Sequence, residues 1–263
     1  MMDRIKRFFE QCWLYYKGNN AHLSLEDLIF YRISIPLLTL IYYCFIAKNS
    51  FRTEQLTQWV IGNSLLLCNN SCVFTIGASF EGERSYGRLK WLIASPYSRI
   101  ATVIQKGLFY IFESIATVIM SITFGSLLFG VDFSNVNIAL FILILIVGIL
   151  AAICFGLFIS VFSLLFDSIN LILNLVHVLM LILCGANFPI KDLPQAAKFI
   201  SYCLPFKRSI KAANMLFDDV SKSHLLSLLG QEMCVGIAYL TISVILFKII
   251  EKVAIRKATL EIF

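Results

Sequence analysis

The stretch Ile138–Leu165 reads IALFILILIVGILAAICFGLFISVFSLL and contains no charged side chain. A helix of about 20 apolar residues is long enough to cross the hydrocarbon core of a bilayer. Backbone N–H and C=O groups in hydrocarbon must be satisfied within the segment itself. This stretch is therefore predicted to be an α-helix that spans a membrane, with some tilt or protrusion because of its length.

The composition of the whole chain supports this assignment. Of its 263 residues, 59% are hydrophobic and 14% are charged, whereas soluble domains have about 45–50% apolar and about 25% charged residues. A self-contained soluble enzyme is therefore excluded. We predict an all-α polytopic membrane protein, a single membrane domain with six transmembrane helices. In chain order the predicted spans are 28–47, 59–80, 100–129, 138–165, 171–184 and 225–247.

Two other segments are predicted to lie along the membrane rather than across it. In residues 1–20 apolar side chains recur at helical spacing and charged ones lie elsewhere, which predicts an N-terminal amphipathic interface helix. Residues 187–224 contain Pro189, Pro194 and Pro205, and proline interrupts a regular helix. We predict that this segment forms re-entrant half-helices between spans five and six, which require contact with protein or water.

The distribution of basic residues predicts the orientation of the chain. Six spans place both termini on the same side as the loop 81–99, and that side carries more Lys and Arg than the other. The positive-inside rule then places both termini in the cytoplasm and residues 187–224 outside. The net charge of +6 is spread over loops, which favours contact with anionic membrane lipids over nucleic acid.

Ionisable residues within spans are the first candidates for function in a membrane protein. Lys106 and Glu113 lie two helical turns apart on span three, His177 lies in span five, and Glu232 lies near the outer end of span six. For Glu113, a role in gating or in the cargo pathway competes with a structural role in the bundle. We expect Glu232 to reach the membrane interface and Arg32, at one end of span one, to snorkel.

Small residues recur at four-residue spacing along span four. Such a ladder lets a neighbouring helix approach closely. It is predicted to serve helix packing, against either another span of this chain or a second copy. Its members are Gly148, Ala152, Gly156 and Ser160.

The sequence contains no recognisable catalytic or metal-binding motif. A GxxxxGK[ST] phosphate loop, HExxH, GxSxG and paired CxxC motifs are all missing, so we expect no catalytic residue, no metal and no cofactor bound by this chain. Most of the eight cysteines lie in apolar runs and are predicted to be core residues. Whether Cys184 and Cys203, near one membrane face, form a disulfide stays open.

The loop after span two carries the most informative residues, FEGERSYGRLKWLIASPYSR over Phe80–Arg99, followed by Lys106. It resembles the membrane subunit of type-2 ABC exporters, in which the pattern E-R-x-x-G-x-L-x-x-L-x-x-x-P-x-S-R marks a cytoplasmic coupling helix. The resemblance implies that the loop 81–99 contacts an ATP-binding subunit. The contact residues implied are Glu83, Arg84, Tyr86, Gly87, Leu89, Trp91 and Leu92.

A second similarity lies between spans five and six. Gly185, Phe188-Pro189, Leu193-Pro194 and Leu204-Pro205 resemble the pattern G-x-x-F-P-x-x-x-L-P…L-P of the same family, which places two half-helices there on the outer side. Together with Glu113, Phe188 and Pro189 are the candidate pathway or gating residues.

The resemblance also implies partners and a location. The chain would act as a dimer, with a second copy or a homologous permease, in the plasma (inner) membrane of a bacterium. Separate ABC subunits would bind ATP and Mg²⁺. The apolar, Phe-rich spans favour an amphipathic cargo such as a peptide or drug.

Other functions stay open at this stage. A lipid-linked glycan is an alternative cargo. A membrane sensor or immunity protein would recognise its ligand without transport and would not need a coupling loop. A channel or proton-driven carrier would depend on Glu113, His177 and Lys106.

Overall fold

The structure is a computed structural model that describes residues 2–20, 24–50, 56–85, 87, 99–133, 136–163, 166, 168–190, 193–217 and 222–256. Within these ranges the chain is all-α, which confirms the predicted fold class. One π-helical turn, Phe30–Ser34, interrupts the first span. The α-helices are α1 (Met2–Asn20), α2 (Leu25–Ile29), α3 (Ile35–Ser50), α4 (Thr57–Gly77), α5 (Ser79–Ser85), α6 (Arg99–Phe129), α7 (Ile138–Phe162), α8 (Asn170–Leu183), α9 (Gln195–Cys203), α10 (Lys207–Met215) and α11 (Lys222–Arg256).

Within the described ranges, five helical stretches are long and apolar enough to cross a membrane. They are Phe30–Asn49, Thr57–Glu83, Gly107–Phe129, Ile138–Phe162 and Lys222–Ile250. Local side chains explain the bounds of the most apolar one, α7. Asn137 caps its N-terminus by accepting a hydrogen bond from the N–H of Leu140 (3.2 Å), while Ser163 at its C-terminus donates to the carbonyl of Ser160 (2.6 Å).

The helix at the fifth predicted span is shorter than the others. α8 has 14 residues, which corresponds to about 21 Å, against about 30 Å of hydrocarbon. The chain stays inside the protein beyond the helix end, because Cys184, Ala186 and Asn187 are all buried. This stretch leads into two nine-residue helices, α9 and α10, at the position where the prolines predict half-helices.

α4 is the central helix of the bundle. Within an apolar stretch of 18 residues in this span, 72% of the residues are buried, whereas in the corresponding stretch of the first span only 17% are buried. It packs against α6 and α7, and also touches α8 and α10, while α7 packs along α11. α1 lies against α6, as an interface helix would.

The small residues of α7 pack against other parts of this chain. A Cβ atom added at Gly148 would lie 3.0 Å from the Phe206 ring, and one at Gly156 would lie 3.0 Å from Cβ of Ile76. Ala152 and Ser160 are buried as well. The ladder therefore brings α7 close to α4 at one end and to the start of α10 at the other.

All eight cysteines are free thiols in the structure. Cys184 is buried, and its Sγ lies 3.5 Å from the carbonyl oxygen of Pro205, whereas Cys203 is exposed. The pair considered as a disulfide from the sequence is therefore not bridged here.

Candidate functional site

The described part of the predicted coupling segment is anchored to the bundle. α5 continues almost directly from α4, and Phe80 packs on Phe247 of α11 with ring centroids 5.4 Å apart. Glu83 is buried, at 8% exposure. Beyond α5, Gly87 has φ of +65°, a left-handed conformation that glycine adopts without strain.

The remaining coupling residues predicted from the sequence lie outside the described residues. They are Tyr86, Leu89, Trp91 and Leu92, together with the side chain of Arg84. The side chain of Lys106 is also outside the described part.

Glu113, the candidate gating residue, forms an ion pair with Arg32. Nη1 of Arg32 lies 2.6 Å from Oε2 of Glu113, and both side chains are about one-fifth exposed. Arg32 also donates to the hydroxyl of Tyr16 (2.7 Å) and to Oδ1 of Asn20 (2.7 Å). The guanidinium of Arg32, which was expected to snorkel, is thus held by one carboxylate and two polar groups, and the two polar groups lie on the interface helix α1.

This ion pair ties three separate elements together. Arg32 is in the π-helical turn, Glu113 in α6, and Tyr16 and Asn20 in α1. A second polar contact between α1 and α6 is the hydrogen bond from Gln105 Nε2 to Gln11 Oε1 (2.9 Å). The interface helix is thus attached to the first and third spans by hydrogen bonds and charge as well as by apolar contact.

Glu232 is fully buried, with 0% exposure. The prediction that it reaches the interface is wrong. Its carboxylate accepts hydrogen bonds from the backbone N–H groups of Phe206 and Arg208 (3.2 Å to the latter), at the N-terminus of α10. A carboxylate stabilises a helix N-terminus because the first N–H groups have no partner within the helix. Glu232 of α11 therefore caps the second half-helix.

The backbone at this cap has an unusual conformation. Phe206, directly before α10, has φ of +70° and is fully buried, in contact with Gly148 of α7. Ser201 of α9 donates to the carbonyl of Leu183 (2.7 Å), which ties the first half-helix to the end of α8. The first half-helix is thus attached to the end of α8 by a hydrogen bond. The second is attached to α11 by the Glu232 cap and to α7 by the Phe206 ring.

Asn187 is the buried residue of the turn that contains Phe188 and Pro189. Its Oδ1 accepts a hydrogen bond from Nδ2 of Asn63 (2.8 Å), on the central helix α4. Phe188 and Pro189, the candidates chosen from the sequence, are exposed on the surface of this chain. They lie far along the chain from Glu113, whose ion pair joins α6 to the π-helical turn.

Of the residues that hold this region, the sequence analysis missed Asn63 and Asn187, and it placed Glu232 at the membrane interface instead of at a helix cap. A signal existed for each of them. An amide or carboxylate in an apolar run needs a partner, and each of these residues lies in or beside such a run. His177, in contrast, makes only an edge contact with the Phe74 ring, at a centroid distance of 6.2 Å.

The model of the ABC-2 type transporter family matches residues 10–217. The chain belongs to the ABC-2 type transporter family. The matched range covers the coupling segment and both half-helices and ends before α11. This ABC-2 chain is accordingly a multi-pass membrane protein and a transmembrane subunit of an ABC transporter. A search of curated proteins found no significant match.

No group of three potential metal ligands occurs among the described residues of this ABC-2 chain. Glu113 neutralises the charge of Arg32, and Glu232 caps the N-terminus of α10. Both carboxylates therefore hold helical elements together, and neither is arranged like a catalytic group.

Proposed function

We propose that this chain is the permease subunit of an ATP-driven exporter, active as a dimer and driven by separate ATP-binding subunits through the loop 81–99. The observation that carries the proposal is the family match, which includes this loop. The phosphate-loop motif is missing from the sequence, so ATP and Mg²⁺ are assigned to the partner subunits. Both termini are assigned to the cytoplasm of a bacterial cell, with α9 and α10 at the outer side.

The anchoring of α5 supports transmission of motion from such a partner. α5 joins the central helix α4, and Phe80 contacts α11. A displacement of the loop would therefore be passed to the two helices that organise the bundle, as a rigid-body shift of packed elements. The left-handed conformation at Gly87 supports a sharp change in chain direction at the end of this connection.

Polar side chains on α8 support a cargo pathway next to a second copy. Asn174 lies on the exposed surface of this otherwise apolar helix, in its middle turn, and Asn170 is exposed at its start. An amide that faces hydrocarbon without a partner is unfavourable. We assign this face to water, cargo or the second permease, and the cargo to an amphipathic compound such as a peptide or drug.

Co-purification with an ATPase tests the proposal. The tagged chain is isolated in mild detergent from its native membranes, and ATP hydrolysis in the eluate is measured for wild type, Leu89→Asp/Leu92→Asp and Ser85→Asp. Ser85 is exposed in α5, so its variant adds charge nearby without removing an apolar anchor.

We expect ATPase activity to accompany wild type and Ser85→Asp and to be lost from the double variant. If wild type brings no ATPase activity, the exporter proposal fails, and a membrane sensor or immunity protein becomes the better explanation. If the double variant retains full activity, the apolar anchors assigned to the loop are wrong.

A further inference from the structure

Among the described residues, the buried ammonium group of Lys207 has no hydrogen-bond acceptor. Lys207 is the first residue of α10 and only 5% exposed, and its Nζ has no hydrogen-bond partner among the described residues. Its nearest described contact is the ring of Tyr202, whose centroid lies 3.3 Å away. Burying a charge without an opposite charge or hydrogen bonds is unfavourable, so an anionic partner would stabilise this ammonium group.

Among the described residues, Glu232 is the carboxylate in contact with the start of α10, and its hydrogen-bonding capacity is already used. It accepts from two backbone N–H groups and lies 3.9 Å from Nη1 of Arg208, too far for a hydrogen bond. The charged side chains that act on Lys207 are Arg208 and Lys211, both cations. Among the described residues at the start of α10, Glu232 therefore faces Arg208, while Lys207 has no carboxylate partner.

Tyr202 separates this charge from the exterior. The side chain of Tyr202 is 58% exposed, while the ammonium beneath its ring is not. Arg208 donates to the backbone carbonyl of Tyr202 (2.8 Å) rather than to its ring, so the ring can rotate without breaking that bond.

The surface next to Tyr202 is apolar. Phe199 and Ile200, on the same half-helix α9, are 73% and 45% exposed. A positive charge beside exposed apolar side chains is complementary to a molecule with an anionic group and hydrocarbon chains.

We propose that Lys207 and Arg208 bind the anionic headgroup of a phospholipid, with Tyr202 as a movable cover and α9 as the contact for the acyl chains. The site is separate from the loop 81–99 and does not depend on ATP coupling. A positively charged side chain at one end of the half-helices would hold an amphipathic anion where the membrane meets the aqueous phase.

Lipid retention by the purified full chain tests the site. The chain is incubated with equal amounts of phosphatidylglycerol and phosphatidylcholine in detergent, and bound lipid is counted by native mass spectrometry. Variants are Lys207→Gln, Lys207→Arg and, as a matched control, Lys211→Gln, which removes an exposed lysine one turn further along α10.

We expect wild type, Lys207→Arg and Lys211→Gln to retain phosphatidylglycerol preferentially, and Lys207→Gln to lose about fivefold in this preference. Equal preference in Lys207→Gln and wild type, or an equal loss in Lys211→Gln, would overturn the proposal. A parallel sample with inorganic phosphate separates the sources of the anion. Displacement of the lipid by phosphate means that the anion alone is recognised, and retention means that the apolar part is needed too.

Tyr202→Ala separates a binding site from a purely structural contact between the cation and the ring. If Tyr202 is a cover, its removal leaves the preference for phosphatidylglycerol intact or increases it. If the ring contact is structural only, Tyr202→Ala and Lys207→Gln lower the melting temperature equally and neither changes lipid retention, which would refute the site.

Discussion

Glu113 and Glu232 are carboxylates on long apolar helices, and the structure neutralises them in different ways. Glu113 pairs side chain to side chain with Arg32, and both groups are partly exposed. Glu232 is fully buried and accepts hydrogen bonds from the backbone at the start of α10. The first interaction connects side chains of two different helical elements, whereas the second satisfies backbone N–H groups at the start of a helix.

The difference indicates which connection can open during a transport cycle. A partly exposed ion pair can separate because water replaces each partner. A buried cap cannot separate without leaving N–H groups and a charge unpaired. We therefore expect the contact between α1, the π-helical turn and α6 to be adjustable, and the contact between α10 and α11 to move as one unit.

The largest effect is expected from Glu232→Ala. This variant leaves the N-terminus of α10 uncapped and Arg208 without its carboxylate, which should destabilise the chain by about 3–5 kcal/mol. The measurement is the thermal unfolding midpoint in detergent, with Gln231→Ala, an exposed neighbour, as control. Equal midpoints for both variants would show that Glu232 does not hold the half-helix.

The Asn63–Asn187 pair extends the comparison to a buried contact without charge. Asn63→Leu should cost about 1–3 kcal/mol, because it leaves the amide of Asn187 with an unpaired acceptor. Asn63→Leu/Asn187→Leu should recover part of this loss, since both polar groups are removed. If the double variant is less stable than the sum of the single variants, the hydrogen bond is not the source of the effect.

Separation of Arg32 and Glu113 should have a smaller effect, about 1 kcal/mol, because both side chains are about one-fifth exposed and Arg32 keeps its hydrogen bonds to Tyr16 and Asn20. A double-mutant cycle with Arg32→Gln, Glu113→Gln and both changes measures the coupling from unfolding midpoints. ATP hydrolysis by the co-purified complex is measured alongside, and Glu113→Gln should retain it. Complete loss of uphill transport in Glu113→Gln with a normal midpoint would instead support a proton-driven carrier.

A further effect is the pH dependence caused by Lys207, which develops gradually over the range between its two pKa values. Burial, followed by the charge of Arg208, lowers the pKa of Lys207 to about 8 from its ordinary 10.5. Between these values the unfolded chain binds more protons than the folded one, so stability rises with pH. The destabilisation by the buried ammonium is complete below pH 8 and fades as pH increases towards 10.5.

The unfolding midpoint of wild type should accordingly rise relative to Lys207→Met as the pH is raised through 8. The other groups that face Lys207 are Arg208, Lys211, Cys184 and the ring of Tyr202. They are present in both proteins, so the difference between the two midpoints isolates Lys207. A constant difference would show that Lys207 keeps its ordinary pKa.

Much of the fold was predictable because it depends on local sequence. An apolar run such as 138–165 must form a helix in hydrocarbon, and three prolines between 187 and 224 must interrupt one. The partners of polar residues were not predictable in the same way. Arg32 and Glu113 are 81 residues apart in the sequence. Many other pairs of polar residues are separated by similar distances along the chain, so sequence spacing alone does not identify which residues pair.

The sequence by itself determined that this protein is an α-helical membrane protein of several spans with a charged loop that resembles an ATPase contact. Only the tertiary structure decided that Glu232 is a buried helix cap, that Arg32 faces Glu113 rather than the aqueous phase, and that Lys207 is buried under Tyr202. The physical reason is the range of each interaction. Burial of apolar residues and backbone hydrogen bonding are set by neighbours along the chain, whereas the pairing of charges depends on which helices meet.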